Sequence, residues 1–294
     1  MPVHDDLGIR MKTFYEQIPK IKLMRRCPVA IRIDGKAFHT FTRGFQKPFD
    51  DLMVKSMQET MKYLCENIQG CVLGYTQSDE ITLILVDYKK LNSSAWFDYE
   101  VQKLCSVAAS MATMAFNKCF IKNIQDIVYK TDDMEEYLDN GSGQLIPTEK
   151  HYANILSSAA DKGAMFDARA FNIPKEEVTN LIYWRQVDAK RNSIQSVGQA
   201  YFSHKELDKK SSDMIQCMLF EERGVNWNDY PTHLKRGSCC VKNKIVIESD
   251  GVVATAQLRD TTANENDWII DNDIPIFKGE DRKYIDDLIF VGED

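Results

Sequence analysis

Apolar residues form short runs and helical stripes that alternate along the first two hundred positions of this chain. The run at 29–33 is rich in β-branched residues and predicts a short buried strand. Apolar positions within 51–67 recur at helical spacing, which predicts a crossover helix. Two further apolar runs flank the polar residues 76–80 and predict a hairpin with acids at its tip.

The pattern continues with a second helix and a further strand. Small and apolar residues over 94–120 predict a long helix with a face suited to lie on a sheet. Alternation over 164–173 predicts a strand, and Pro174 ends it before a long helix that begins at Lys175. The order β-α-β-β-α-β predicts an α+β protein with a ferredoxin-like antiparallel sheet and helices on one face. The chain thus has a strand, an acidic residue, a helix, a hairpin and a second acidic residue in this order. The same order is the layout of a polymerase/cyclase-type palm domain.

The chain divides, on this pattern, at about residue 203. Residues 1–203 hold the predicted palm and the long helix after it, while 204–294 form a smaller C-terminal cap. The cap sequence indicates strands around a turn at 249–251, and it says little about chemistry.

Composition, charge and cysteine usage narrow the classes of function. Of 294 residues, 44% are hydrophobic, which is ample for a core. No run approaches the roughly eighteen apolar residues of a membrane span. The eight cysteines form no CxxC pair and no spaced Cys/His zinc set, so we expect reduced thiols in a cytoplasmic protein. The net charge of −7 argues against indiscriminate nucleic-acid binding, although one basic face would suffice to bind RNA.

Two carboxylates are the candidate chemistry. Asp34 follows the first strand, where Asp-Gly is also a common turn pair, and Asp79 lies at the hairpin tip. If these strand ends meet, both carboxylates are available to hold two Mg²⁺ ions for phosphoryl transfer, with the Gly35 carbonyl as a further ligand. Glu80 directly follows Asp79, and consecutive strand residues face opposite sides, so we expect Glu80 to contribute less.

Longer motifs connect these acids to a known family. The segments RIDGKAFHTFTRGFQKPFDD and GYTQSDEITLIL resemble the tRNA(His) guanylyltransferase family. That family includes bacterial, archaeal and phage-type Thg1-like members that polymerise RNA in the 3′-to-5′ direction. Its pattern of strand-R-[LI]-D-G-[RK]-x-F-H, then K-P, then G-Y-x-Q-S-D-E occurs here in order and spacing. The resemblance covers most of the first two hundred residues.

The resemblance implies an activity, its substrates and its cofactors. ATP or GTP would activate the 5′ end of a tRNA, and the 3′-hydroxyl of an incoming nucleotide would then attack the activated phosphate. One nucleotide is thereby added at the 5′ end. The resemblance also implies two Mg²⁺ ions and a homo-tetramer.

The segment after the first strand is the expected nucleotide site. Gly35 permits close approach of a ligand, and successive backbone N–H groups there would form an anion site. The resemblance adds Lys47, the lysine that the family directs at the triphosphate, and His39, otherwise an ordinary turn histidine. The expected catalytic residues are Asp34, Asp79, Glu80 and Lys47, and the expected nucleotide-binding residues are Asp34, Gly35, Lys36, Ala37, Phe38, His39, Ser78 and Asp79.

The W-R-Q-x-D segment at 184–188 also matches the family, but a difference follows it. Where eukaryotic members have a His-Ile-Asn-Asn motif, residues 190–193 here read Lys-Arg-Asn-Ser. Together with Arg185, they predict a basic helix face that holds backbone phosphates without reading a base, or else an ordinary solvated face. A basic run at 20–26 has the same two interpretations. The difference favours a template-reading repair enzyme over one that adds a single guanylate to tRNA(His).

Two other classes of function stay open. A nucleotide cyclase uses the same palm layout but needs no RNA acceptor. A catalytically silent RNA-binding protein would keep the fold without needing its acids and Lys47, all of which are present. Nucleotide addition to 5′-truncated tRNA would distinguish all three classes.

Overall fold

The computed structural model describes residues 5–139, 145–243 and 267–292, so the predicted turn at 249–251 lies outside it. Its strands are β1 (Val29–Gly35), β2 (Cys71–Gln77), β3 (Glu80–Leu85), β4 (Tyr137–Asp139), β5 (Leu145–Pro147), β6 (Phe166–Asn172), β7 (Ser238–Lys242) and β8 (Trp268–Asp271). Its helices are α1 (Asp6–Met11), α2 (Phe38–Phe41), α3 (Asp51–Asn67), α4 (Val101–Lys130), α5 (Glu149–Lys162), α6 (Lys175–Tyr201), α7 (His204–Leu207), α8 (Ser212–Arg223), α9 (Thr232–Arg236) and α10 (Lys283–Ile289).

Six strands form one sheet in the order β6-β1-β3-β2-β7-β8, and every neighbouring pair is antiparallel. The elements β1, α3, β2, β3, α4 and β6 follow one another as predicted, with β4, β5 and α5 inserted before β6. β4 and β5 pair with each other in a separate two-stranded sheet. The predicted mixed class of helices and an antiparallel sheet is therefore confirmed.

Helices cover both faces of the sheet, whereas the sequence predicted them on one. On one face, α3 and α4 pack against Val29, Ile31 and Ile33 of β1. On the other face, α6 and α10 pack in the cluster that contains Ala30. All four of these β1 residues are fully buried. The prediction was wrong because residues on both faces of β1 are apolar and buried, which is typical of a strand covered on both sides. Arg32, which lies on the same face as Ala30, interrupts this apolar run.

The long helix α4 is displaced along the chain from its prediction over 94–120. It begins only after Glu100, because Phe97 and Asp98 have left-handed backbone conformations with φ of 49° and 52°. By length and composition alone α4 could cross a membrane. It packs, however, on α3, α5, β1 and β6, as expected of a core helix.

α5 is a helix that the sequence analysis did not predict. The Thr148 hydroxyl caps its first turn, and Ala153, Leu156 and Ala159 bury one stripe at helical spacing. This face packs against α4. The usual signals of a helix were therefore present, next to a turn-rich acidic segment that obscured them.

Residues after 204 contribute to the main sheet and to a separate cluster. β7 pairs with β2, and β8 pairs with β7. α7 and α8 pack against the second half of α6, around Val197 and Ile215. The division into a palm at 1–203 and a cap at 204–294 stays a prediction.

Candidate active site

Asp34 lies near the end of β1, inside the sheet. Its register partners are Glu80 on β3 and Asp167 on β6. The following residue, Gly35, donates its backbone N–H to the carbonyl oxygen of Asp79 at 3.1 Å. This hydrogen bond ties the end of β1 to the hairpin tip, so Asp34 and Asp79 lie at the same end of the sheet.

Gly35 approaches the loop that follows it too closely for a side chain. A Cβ atom at this position would lie 2.2 Å from a ring carbon of Phe38. The Phe38 ring is buried and packs on Phe116 and Phe166, with centroids 5.5 and 5.1 Å away. Phe38 therefore belongs to the core beneath the predicted nucleotide loop, while its neighbour Ala37 is exposed.

The hairpin between β2 and β3 turns on Ser78 and Asp79 alone. Gln77 and Glu80 are still paired across the ladder, so the tip is tighter than the predicted 76–80. Ser78 has the left-handed φ of 51° that two-residue hairpin turns favour, and its hydroxyl donates to Asp79 Oδ1 at 3.1 Å. This short hydrogen-bonded turn restrains the Asp79 carboxylate.

Asp79 makes no ion pair within the described ranges. Burial raises the pKa of its carboxyl, and the negative charge of Asp34 raises this pKa further, against the lowering effect of the Ser78 hydrogen bond. The two acids therefore form an uncompensated concentration of negative charge. A bound cation would relieve it.

Glu80, by contrast, is compensated by a buried arginine. An Nη atom of Arg185 on α6 donates to Glu80 Oε2 at 2.6 Å and to Asp188 Oδ2 at 3.0 Å, and the Arg185 side chain is only 7% exposed. Burial raises the pKa of the Glu80 carboxyl, whereas the charges of Arg185 and Arg32 lower it. The prediction of Arg185 on a basic surface was wrong, because this guanidinium is committed to two acids inside the protein.

The other predicted basic groups are partly neutralised as well. Arg191 forms an ion pair with Asp188, and the Lys190 ammonium lies 5.9 Å from the centre of the Trp227 ring. In the basic run at 20–26, Lys22 pairs with Asp98, and Arg25 pairs with Asp87 and Asp98. Neither group forms an uninterrupted cationic face.

A cavity of about 580 Å³ opens beside the hairpin tip. The loop after β1, the start of α3, the tip itself, α6 and α9 surround it. Of the predicted site residues, its lining includes Gly35, Ala37, Phe38, His39, Lys47, Ser78 and Asp79, but not Asp34, Lys36 or Glu80. One partly open cavity thus joins the loop after β1, the lysine and the hairpin tip.

Lys47 lies on the loop between α2 and α3 and makes no ion pair in the part of the chain that the structure describes. Buried Asp50 holds this loop by accepting hydrogen bonds from the backbone N–H of Gln46 (3.1 Å), the backbone N–H of Met53 (3.0 Å) and the hydroxyl of Tyr152 (2.6 Å). Asp50 is also the N-cap of α3. The result is an exposed lysine on an anchored loop, suited to bind a phosphate.

Several cavity residues were missed by sequence reasoning. Asp50 was recognisable, because an aspartate directly before a helical stripe is a common N-cap. Ser196 on α6 and His233 on α9 were also missed, whereas Asn192, another lining residue, belongs to the helix segment that the sequence had indicated for phosphate contacts. No local signal marks His233, since it reaches this space only through the packing of α9 against α6 and β2.

Among residues 5–139, 145–243 and 267–292, no three His, Cys, Asp or Glu side chains are grouped to hold a metal ion. The predicted ligands are instead two carboxylates, Asp34 and Asp79, with the backbone oxygen of Gly35. Mg²⁺ prefers oxygen ligands and commonly keeps several waters beside one or two carboxylates. This donor set therefore fits Mg²⁺ and not a zinc site of nitrogen and sulfur ligands.

An antiparallel sheet with acids at one end, beside a cavity that Lys47 lines, is the arrangement expected of a transferase that acts on phosphates. The sequence model of the tRNAHis guanylyltransferase family matches residues 9–174, which is more than half of the chain. The chain therefore belongs to the tRNAHis guanylyltransferase family, whose members are nucleotidyltransferases.

Relatives extend the similarity beyond residue 174. A bacterial tRNA(His) guanylyltransferase (Thg1)-like protein solved in complex with ATP is 36% identical, with a TM-score of 0.73 over 97% of this chain and 100% of that chain. A structure of the same description in complex with GTP is 33% identical, with a TM-score of 0.66 over 98% and 100%. An uncharacterized protein of Acanthamoeba polyphaga mimivirus is 29% identical over 265 residues, 85% of this chain and 81% of that protein.

Proposed function

We propose that the protein is a nucleotidyltransferase that adds nucleotides to the 5′ end of tRNA. The observation that carries this proposal is the convergence of Asp34 and Asp79 at one end of the sheet, beside the cavity that Lys47 lines. Family membership supports tRNA as the acceptor, and the bacterial relatives in complex with ATP and GTP support triphosphates as the donors. The strand order and the two acids support assignment of the sheet to a polymerase-type palm.

Two Mg²⁺ ions are the proposed cofactors, and Asp34, Asp79 and the Gly35 carbonyl would hold them. Bound Mg²⁺ would neutralise the triphosphate and stabilise the charge on the attacking and leaving oxygens. Support comes from the burial and mutual repulsion that raise the pKa of Asp79, because a divalent ion would offset both costs.

The protein's own residues act through position and charge. Lys47 binds the phosphates, and the Ser78 hydroxyl restrains the Asp79 carboxylate by a hydrogen bond. In the first stage, an oxygen of the RNA 5′-monophosphate attacks the α-phosphate of ATP or GTP and pyrophosphate leaves, so that the 5′-phosphate of the RNA carries a nucleoside monophosphate through a new phosphoanhydride bond. In the second stage, the 3′-hydroxyl of the incoming nucleotide attacks that phosphate, the activating group leaves, and a new phosphodiester bond forms.

Template-directed repair is the form of this activity that we favour over a single guanylate addition to tRNA(His). The Lys-Arg-Asn-Ser sequence at 190–193 differs from the eukaryotic motif, and the chain is 36% identical to a bacterial Thg1-like protein. Lys190 and Arg191 are already engaged with Trp227 and Asp188, so template choice is assigned to base pairing within the tRNA rather than to these residues.

A set of tRNA substrates tests this proposal directly. Transcripts that lack the 5′ nucleotide would carry each of the four bases opposite the gap, and each would be offered all four triphosphates. Selective incorporation of the pairing nucleotide is the expected result. Guanylate added whatever the opposing base, and only to tRNA(His), would overturn the repair form while leaving the nucleotidyltransferase assignment in place.

The cyclase alternative predicts a different result in the same assay. A cyclase would convert ATP or GTP to a cyclic nucleotide without tRNA, whereas we expect no consumption of triphosphate beyond background until tRNA is added. A silent RNA-binding protein would consume none under either condition. The family match favours the tRNA-dependent outcome.

A homo-tetramer and a cytoplasmic location complete the proposal. Exposed apolar side chains on the N-terminal segment, including Leu7, Phe14 and Ile18, support burial against another copy of the chain. Light scattering coupled to size exclusion would measure the assembly. A monomer at micromolar concentration would contradict it.

A further inference from the structure

The cavity lining contains two chemically different sets of side chains. Lys47, Asp50 and Asp79 form the charged set. His233, Asn192 and Ser196 form what we call the α6–α9 wall, in which the side chains are polar but neither acidic nor basic at neutral pH. The cationic neighbours Lys190 and Arg191 are not in the lining. Such a wall offers neutral donors and acceptors that can hydrogen-bond a nucleobase or sugar hydroxyls.

The α6–α9 wall is attached firmly to the catalytic hairpin. The Tyr75 hydroxyl on β2 donates to the backbone carbonyl of Arg236 at 2.6 Å, at the end of α9. A Cβ atom at Gly237 would lie 2.5 Å from the carbonyl oxygen of Thr76, so the backbones touch here. The Ser193 hydroxyl lies 3.3 Å from the carbonyl of Lys235, which connects α6 to α9. His233 is therefore presented from an anchored element.

The His233 ring is available for a ligand. It is half-buried, and in the described part of the chain it has no hydrogen-bond partner. Burial lowers the pKa of its imidazole, while the negative charge of Asp51 acts in the opposite direction. A neutral imidazole offers one donor and one acceptor. The Asn192 amide and the Ser196 hydroxyl likewise have no partner in these ranges and add further donors and acceptors.

We propose that His233, with Asn192 and Ser196, forms a subsite that hydrogen-bonds the base or ribose of a nucleotide whose phosphates lie at Lys47. The inference rests on the proposed function for the binding of phosphates at Lys47, and it adds the recognition of the nucleoside. A volume of about 580 Å³ lies within the range of pockets that enclose small ligands. The bound nucleotide is either a free triphosphate or the 5′-terminal nucleotide of the RNA, since both present the same groups.

Four probes distinguish phosphate binding from nucleoside recognition and separate the two sources of nucleotide. Inorganic tripolyphosphate reports on phosphate binding alone, GTP and ATP report on both, and a 5′-triphosphorylated tRNA transcript presents an RNA terminus. The variants are His233→Ala and His233→Gln, with Lys47→Ala for phosphate binding. His204→Ala is the matched control, because His204 is an exposed histidine outside the cavity. Melting curves accompany every variant.

The expected result is selective loss of nucleoside recognition. His233→Ala should weaken GTP and ATP binding about fivefold to tenfold, the effect of one or two hydrogen bonds, and change tripolyphosphate binding less than about twofold. His233→Gln should recover most of the affinity, because its amide is also a neutral donor and acceptor. Lys47→Ala should weaken tripolyphosphate and GTP alike, and His204→Ala should change neither.

A different outcome would assign the subsite to the 5′-terminal nucleotide of the RNA. If free GTP and ATP bind normally to His233→Ala but the KM for the tRNA rises about fivefold to tenfold, the subsite holds the terminal nucleotide of the RNA. Unchanged affinity for all four probes, or equal loss of tripolyphosphate and GTP binding, would overturn the proposal. Failure of the proposed function would appear separately, as no nucleotide addition by the unmodified protein to any tRNA, and would leave the GTP-binding comparison measurable.

Discussion

Asp79 and Glu80 are consecutive acids on one hairpin, yet their surroundings are opposite. Glu80 begins a strand and lies against the buried Arg185 guanidinium, which neutralises it. Asp79 occupies the turn, where Asp34 adds a second negative charge and no cation of the described chain approaches. The carboxylate of Glu80 therefore stabilises the fold, whereas the carboxylate of Asp79 remains available for a ligand.

The difference between Asp79 and Glu80 shows how electrostatics can identify a cation-binding site. Burying an acid is costly unless a partner offsets the cost, so a compensated acid such as Glu80 is explained by the fold itself. An acid that is partly buried beside another acid is not explained in that way. Asp34 and Asp79 therefore point to a bound cation more strongly than Glu80 does.

The largest expected effect follows from removing either uncompensated acid. Asp34→Asn or Asp79→Asn should reduce nucleotide addition by at least about a thousandfold, because each variant removes a proposed metal ligand. The melting temperature should stay the same or rise, since a repulsive charge is lost. Activity titrated against Mg²⁺ and a thermal melt measure the two effects. Asp161→Asn on an exposed acid is the control, and full activity in either test variant would exclude the two-metal assignment.

Removal of the compensating cation should affect stability instead. Arg185→Met leaves Glu80 largely buried without its ion-pair partner and should cost about 3 kcal/mol of unfolding free energy. Urea denaturation measures this cost. The double variant Arg185→Met/Glu80→Gln should recover most of it, because no buried charge is left without a partner. A double variant as unstable as the single one would show that Arg185 contributes mainly by packing.

A smaller effect is expected at the unpaired lysine. Lys47→Ala should weaken triphosphate binding about tenfold, which corresponds to one charge-assisted contact, and should change tRNA binding much less. Separate titrations with GTP and with tRNA would establish the ratio. Lys55→Ala on α3 is the matched control, because this exposed lysine is not in the cavity lining. Equal losses for both ligands would place Lys47 outside the phosphate site.

The smallest effect concerns the anchor of the lysine loop. Tyr152→Phe removes the hydroxyl that donates to Asp50, so it should cost about 1 kcal/mol of stability and raise the KM for triphosphate about twofold to threefold. Steady-state kinetics would show the increase in KM with kcat little changed. Tyr129→Phe at a highly exposed tyrosine is the control. A fall in kcat at unchanged KM would separate Tyr152 from Lys47.

Local patterns were sufficient for the elements that position the two acids. The boundaries of α3 agree with its apolar stripe, and β1, β2 and β3 lie where the apolar runs predicted them. A strand that ends in Asp-Gly and a short hairpin with acids at its tip are both features of nearby sequence. Strand pairing then brings Asp34 opposite Glu80.

Partners that are distant in sequence were not predictable in this way. Glu80 and Arg185 are 105 residues apart, and nothing near either residue shows that the arginine is buried rather than exposed on a basic face. His233 reaches the cavity through packing of α9, and β7 joins the sheet next to β2 by a pairing that local periodicity does not specify. Tertiary contacts decide these positions, whereas periodicity decides the elements themselves.

The contact between Gly237 and the carbonyl of Thr76 has a consequence for synthesis of the protein on the ribosome. The hairpin with Asp79 emerges early, but α9 and Gly237 emerge more than 150 residues later. The hairpin is therefore synthesised before one wall of its cavity. A nascent chain that stops before His233 therefore has both acids without the complete enclosure around them. Emergence of the chain beyond Gly237 is thus a condition for assembling the cavity.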